Sequence, residues 1–307
     1  MIYRSLLKLI KCIDNNHKYD FAYWWIRIFS FFKYFNPATS PSPSYPVDIM
    51  NLHFPNPVGL AAGFDRDGSL ISSLNSSGFG FIEIGTINVN SENNSSDKLS
   101  NNIRNLVYSK IKTTNKALIG ISLGSLRNNI NDHTVADYLL GMELYWTHSD
   151  YIVINLSRPG SSMRSETKNS DDIHFLLEKI KQGHTALCEK YNKHVPMVIK
   201  VAINYNTRKT LPETLIIAKE LGFDGLLLAF EHWPSSVDVV TTVDEISTLT
   251  QQLPLIVVGG IRTEDDMLQI LNAGAHLVQC YSLLVDQGPA EMKGSIHKLT
   301  LLAKDKL

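Results

Sequence analysis

An apolar run at residues 151–156 carries one polar residue, Asn155, and ends in Ser157-Arg158-Pro159-Gly160. A permanently charged guanidinium therefore follows a buried segment directly, beside an amide and a hydroxyl. Two readings stand for Arg158: an anchor for a substrate anion, or an outward side chain paired with Asp171 or Glu166. Lys200 interrupts a second apolar run, PMVIKVA. An ammonium group is costly to bury without a partner, so an anionic ligand atom is expected beside it. Gly259-Gly260 closes the run LPLIVVGG, and Tyr281-Ser282 closes HLVQCYS. Glycines let a phosphate approach backbone N–H groups, and the next helix N-terminus adds a favourable partial charge. Together these residues point to a phosphorylated cofactor held beside a small anion.

The elements that must position them recur from residue 52 onward. Short apolar runs lie at residues 56–63, 79–85, 117–124, 150–157, 196–202, 224–230, 253–260 and 276–282. Each is continuous rather than alternating, as expected when both faces of a parallel strand are buried. Amphipathic stretches such as ETLIIAKELG and EDDMLQILNAG separate them, with Gly222 and Gly274 in the positions of helix stops. Eight strands alternating with helices over about 250 residues describe an α/β fold, a (β/α)8 TIM barrel. An open doubly wound sheet is the runner-up, but no GxGxxG follows the first strand. In such a barrel ligands sit at the C-terminal strand ends, and phosphates often after strands seven and eight.

The first 37 residues differ from the rest. SLLKLIKCI and FAYWWIRIFSFFKYF are apolar and aromatic, with Lys8, Lys11, Arg27 and Lys33 interspersed. At helical spacing Trp24, Ile28 and Phe31 share a face, widened by Trp25, Phe32 and Tyr34. Such a helical extension packs on its own domain, on a partner protein, or on a membrane interface. The proline-rich NPATSPSPSYP breaks the pattern, giving a linker at 38–50 before a barrel at 51–307.

Composition removes other classes. The formal net charge of -1 over 307 residues gives nucleic-acid binding no electrostatic support. Cys12, Cys188 and Cys280 lack CxxC spacing and read as reduced thiols, and His174, His184 and His194 read as surface histidines, so no metal site is expected. No uninterrupted apolar run approaches the roughly 20 residues that span a bilayer. Lys8, Lys11 and Asp14 interrupt the first apolar stretch, which argues against a signal peptide. The expected location is cytoplasmic, or peripheral on the inner face of the cytoplasmic membrane.

NPVGLAAGFDRDG, GFGFIEIGT, DYIVINLSRP, VIKVA, LPLIVVGGI and LVQCYSLLVDQGP together resemble the dihydroorotate dehydrogenases of the membrane-associated, quinone-using class. The resemblance implies FMN at the barrel mouth and an N-terminal helical pair that forms a quinone tunnel on the membrane. It places Ala61, Ala62 and Gly63 under the flavin, and Thr86 and Asn155 against its ring. Lys200 falls near the ring's N1/O2 side, with Gly259, Gly260, Tyr281 and Ser282 around the phosphate.

The substrate half departs from that pattern. Arg158 stands where the family has the serine that takes a proton from dihydroorotate, and Gly160 replaces the following asparagine. Arginine stays protonated and cannot accept a proton. Arg66 replaces the lysine that binds the pyrimidine carboxylate, and Ser122 replaces a flavin-contacting asparagine. Only Asn101 and Asn102 remain of the orotate-binding loop, and Ala229-Phe230-Glu231-His232 replaces Thr-Asn-Thr-Thr. The Gly-Gly-Leu-Ser-Gly insertion is missing. Arg66 and Arg158 make a cationic pair suited to a carboxylate, and Glu231 or His232 is available to replace the lost base. For Glu231 and His232 a solvated loop is the competing reading. The function expected is an FMN oxidoreductase with an altered small anionic substrate. Residual dihydroorotate oxidation in pyrimidine biosynthesis, and a non-catalytic FMN-binding scaffold, are the alternatives.

Overall fold

In the computed structural model, residues 2–13, 17–33, 45–92, 102–106, 117–157, 169–207, 211–231, 233, 235–251 and 253–304 are described. Arg158, Gly160, Glu166, His232 and most of the proline-rich linker lie outside them.

Ten strands form. A hairpin of β1 (Val47–Ile49) and β2 (Leu52–Phe54) precedes the barrel strands. Those are β3 (Val58–Leu60), β4 (Phe81–Asn88), β5 (Leu118–Gly124), β6 (Tyr151–Asn155), β7 (Met197–Asn204), β8 (Gly225–Glu231), β9 (Leu255–Val258) and β10 (Leu277–Cys280). Each falls on one of the eight apolar runs. The order β10-β3-β4-β5-β6-β7-β8-β9 closes on itself through parallel pairs, Val278 opposite Val58 sealing the ring. The fold is the expected (β/α)8 barrel. Register brings Asn155 level with Lys200, and Asn204 level with Glu231.

The hairpin falls partly inside the stretch read as linker. Its Met50-Asn51 turn has positive φ at both residues, 53° and 56°, the twist a tight antiparallel turn favours. Two three-residue strands are too short to show an alternating pattern. Phe54 at its end packs edge-on to Phe81, with ring centroids 5.4 Å apart, and tilted against Tyr151 at 6.3 Å. These rings, with Val153, Val198, Leu227, Ile256 and Leu277, fill the N-terminal end of the barrel.

Helices cover the outside: α1 (Ile2–Ile13), α2 (Lys18–Lys33), α3 (Ile71–Asn75), α4 (Asp132–Tyr145), α5 (Ser170–Tyr191), α6 (Thr214–Glu220), α7 (Ser236–Thr250), α8 (Glu264–Asn272), α9 (Ser282–Gln287) and α10 (Pro289–Lys304). Asn131 and Asn169 cap α4 and α5 by accepting from Thr134 N and Asp171 N. α5 buries Ile173, Leu176, Leu177, Ile180 and Leu187 along one stripe. His184 lies in that stripe at 2% exposure, so it is not a surface histidine as its polarity suggested.

The N-terminal helices divide their surface. Tyr3 and Leu7 of α1, with Ala22 and Ile26 of α2, are buried in the main core. Burial of each large side chain stabilises by about 1.5–3 kcal/mol. The Tyr3 hydroxyl donates to Val285 O at 2.5 Å, and Arg4 pairs with Glu291. The opposite faces remain open: Ile2, Leu6 and Leu9 on α1, Trp24 and Ile28 on α2. Among the described residues no helix is long and apolar enough to cross a membrane.

Candidate active site

A cavity of about 550 Å³ opens at the C-terminal ends of the barrel strands. The turn after β3 supplies Ala61, Ala62, Gly63 and Arg66, β4 supplies Thr86, and the end of β6 supplies Asn155 and Ser157. Lys200 comes from β7, residues 229–231 from β8, Val258 and Gly259 from the end of β9 and the turn after it, and Tyr281 and Ser282 from just after β10. The cavity thus gathers most of the residues singled out by sequence, from the ends of seven strands. Gly260 is not among its lining residues, and Arg158 and His232 lie outside the described residues.

Asn155 is fixed at both ends of its amide. Its Nδ2 donates to Thr86 Oγ1 at 2.8 Å, and its Oδ1 accepts from Ser157 N and Ser157 Oγ, each at 2.9 Å. Ser122 lies 3.5 Å from Thr86 Oγ1 but does not line the cavity, so its short side chain supports Thr86 from behind. Arg66 is exposed at the rim, with Nε 3.4 Å from Gly63 O.

Lys200 was expected to need an anionic ligand because it stood alone in an apolar strand. It is not alone. Its Nζ lies 3.6 Å from Glu83 Oε1, and both residues are buried. Gln279 Nε2 donates to the other Glu83 oxygen at 2.5 Å. The protein therefore supplies the opposite charge itself, and burial of Lys200 does not by itself require a bound anion. Glu83 carried the same sequence signal as Lys200, one charge inside the apolar run FGFIEIG, and was missed. Burial, reinforced by the Glu83 carboxylate, holds the neighbouring Tyr151 phenol well above its ordinary pKa, so the phenol stays neutral.

Gly259 and Gly260 adopt φ of +95° and +72°, a region side chains resist. A Cβ on Gly259 would meet Phe230 O at 1.9 Å, so strand packing alone demands glycine there. For the helix that follows Gly260, the expected help is offset by the chain's own carboxylates. Thr263 and Asp266 form a capping box on α8, and Asp266 Oδ2 accepts from Arg262 N and Thr263 N at 2.9 Å each. With Glu264, Asp265 and Asp266 in its first turn, this helix end repels an anion.

A second cavity, about 480 Å³, lies between α2 and the barrel mouth. Tyr19, Tyr23 and Trp24 line it from the helix, Phe64 and Asp67 from the barrel. Gly63, Arg66 and Tyr281 belong to both cavities, and the Tyr19 and Tyr281 rings lie 5.5 Å apart. Burial and Tyr19 raise the Tyr281 pKa, against a lowering by Arg66.

A closed barrel with a polar-lined cavity at its C-terminal rim is an architecture suited to holding a small molecule. The family model described as dihydroorotate dehydrogenase matches residues 45–98 and 234–301. Dihydroorotate dehydrogenase (quinone) of Acinetobacter baylyi is 31% identical over 302 residues, covering 83% of this chain and 87% of that protein. The protein of the same name from Shewanella baltica is 30% identical over 298 residues, covering 83% and 86%. The crystal structure of DHODH from Eimeria tenella in complex with ferulenol superposes with TM-score 0.75 at 21% identity, covering 94% of this chain and 92% of that one. The ligand-free form gives 0.76 at 20% identity, covering 95% and 96%. The chain belongs to the dihydroorotate dehydrogenase family. The Acinetobacter baylyi and Shewanella baltica relatives are both named for the quinone-dependent type of that oxidoreductase family, the type this chain resembles.

Proposed function

We propose that the chain binds FMN in the 550 Å³ cavity and oxidises a small carboxylate other than dihydroorotate. The residues present fit a flavin mononucleotide. The cavity is within the usual range of cofactor sites, about 300–1,000 Å³. Ala61, Ala62 and Gly63 offer a flat apolar floor, while Thr86, Asn155 and Lys200 supply polar groups for the ring. Gly259, Tyr281 and Ser282 bring backbone to the place where a phosphate would lie. Bound there, FMN would supply the two-electron chemistry that no side chain offers.

What remains for the protein is to hold the substrate and take a proton. Arg66 and Lys200 are the cations of the cavity lining, and Glu231 is its one carboxylate among the described residues. That last observation carries the reading. With an arginine at the family's serine position, we assign Glu231, which lines the cavity, as the proton acceptor, and Arg66 with the sequence neighbour of Ser157, Arg158, as the cations for the substrate carboxylate.

The second cavity supports a quinone as electron acceptor. It is walled by aromatic rings and shares Gly63, Arg66 and Tyr281 with the first. The outward Ile2, Leu6, Leu9, Trp24 and Ile28, beside Lys8 and Arg27, suit contact with a membrane surface where such acceptors dissolve.

Anaerobic titration of flavin-loaded protein with dihydroorotate and a panel of small carboxylates tests the proposal. Bleaching by another carboxylate but not by dihydroorotate is the expected result. Rapid bleaching by dihydroorotate would show that the family substrate is retained, and no bleaching by any of them would leave a scaffold.

A further inference from the structure

A separate cluster of ligand-type side chains lies at the opposite end of the barrel from both cavities. His184 and Cys188 stand on successive turns of α5, so they project from one face of the helix. The helix stops at Asn192, in the left-handed conformation, and the chain turns back to bring His194 over the same face. Cys188 Sγ lies 3.8 Å from His184 Nδ1 and 3.7 Å from His194 Nδ1. One donor atom from each of the three residues falls within 4.8 Å of the others.

The histidine hydrogen bonds decide which nitrogens are free to ligate. His184 Nε2 lies 2.8 Å from Val195 O, and His194 Nε2 lies 2.9 Å from Asp224 Oδ1. A nitrogen facing a carbonyl or carboxylate oxygen carries the proton, which leaves the lone pair on Nδ1 in both rings. His184 Nε2 is also 3.9 Å from the sulfur but is already engaged by Val195 O. Asp224 is held in turn, its Oδ2 accepting from Met197 N at 2.8 Å. Metal-binding histidines show this arrangement, the non-ligating N–H donated to a carbonyl or carboxylate that fixes the ring. With zinc–nitrogen bonds of 2.0–2.1 Å and zinc–sulfur of 2.3 Å, tetrahedral geometry puts nitrogen and sulfur about 3.6 Å apart. The observed separations are within about 0.2 Å of that figure.

We propose that His184, Cys188 and His194 bind a zinc(II)-class divalent cation through two imidazole nitrogens and one thiolate, with Asp224 positioning His194. His194 is exposed, so the fourth ligand position faces solvent. The site joins the end of α5 to the entrances of β7 and β8, where Met197 and Asp224 sit. This is the face of the barrel where bound groups hold the fold rather than run the chemistry. The spacing His-x3-Cys-x5-His is readable in the sequence, but a search for paired cysteines or paired histidines passes over it.

Chelator-treated full-length protein titrated with cobalt(II), then zinc(II), provides the test. A thiolate-to-cobalt charge-transfer band saturating at one equivalent, and displaced by zinc(II), is expected. Zinc(II) should also raise the melting temperature. Cys188→Ser should abolish the band, His194→Ala should raise the cobalt dissociation constant at least tenfold, and Asp224→Asn should raise it about 10- to 100-fold. His194 is exposed, so its variant should fold even if changes at buried His184 do not. A wild-type protein without the band, a band that survives Cys188→Ser, or unchanged affinity in His194→Ala would overturn the assignment.

Discussion

Lys200 and Glu83 meet across the barrel interior, Nζ 3.6 Å from Oε1, although two strands separate β7 from β4. The pair adjoins the proposed flavin cavity, since Lys200 also lines it. The charge that sequence assigned to a ligand is therefore first a part of the fold.

Breaking this pair leaves a buried charge uncompensated, which costs about 3–5 kcal/mol. Glu83→Gln and Lys200→Met should each lower stability by an amount in that range. The double variant should be less destabilised than the sum, with a coupling of about 1–3 kcal/mol. Denaturant unfolding of the four proteins measures it, and additive effects would show that the two groups do not interact.

Glu231 at the end of β8 is the proposed proton acceptor. Glu231→Gln keeps the shape and the hydrogen-bonding oxygen but loses basicity. The rate of flavin bleaching by the active carboxylate should fall about 10²–10⁴-fold, with little change in the concentration needed for half saturation. Equal loss of binding and rate would instead make Glu231 a substrate contact.

Asp65 gives a pH signature. Burial, opposed by the hydrogen bond from Leu70 N and reinforced by Asp67, raises its carboxyl from 3.8 to about 7. The folded state then holds this proton more tightly than the unfolded chain. Stability from this group is fullest below about pH 4 and declines as pH rises toward about 7, on the order of 4 kcal/mol in all. Asp65→Asn can still accept from Leu70 N, so it should melt higher than wild type at pH 8 and about equally at pH 4. A parallel pH dependence in both proteins would remove Asp65 as the cause.

Trp24 and Ile28 form an exposed apolar pair one turn apart on α2, with the Arg27 guanidinium 5.3 Å from the Trp24 ring. Replacing both with serine should weaken cosedimentation with anionic phospholipid vesicles by tenfold or more and leave the melting temperature within a degree or two. Unchanged vesicle binding would place the contact elsewhere.

The barrel was legible because a strand buried on both faces has no polar alternation to confuse it, as IVVG and LLLAF show. Most of the cavity was legible too, because strand order and length put Thr86, Asn155, Gly259 and Tyr281 at one rim. What escaped reading depends on pairing across long separations. Glu83 and Lys200 are 117 positions apart, and nothing local in either run names the other. His194 joins His184 and Cys188 only because Asn192 turns the chain back on α5. The division of α2 into a docked and an open face followed from where the barrel lies, which its all-round aromatic sequence does not encode.

The most direct measurement is the visible absorption spectrum of the purified protein after equilibration with FMN and removal of excess. One tightly held equivalent with the two-band spectrum of oxidised flavin is the expected result, weakened at least tenfold in Asn155→Leu. A colourless protein that stays colourless under saturating FMN would contradict the assignment of the cavity.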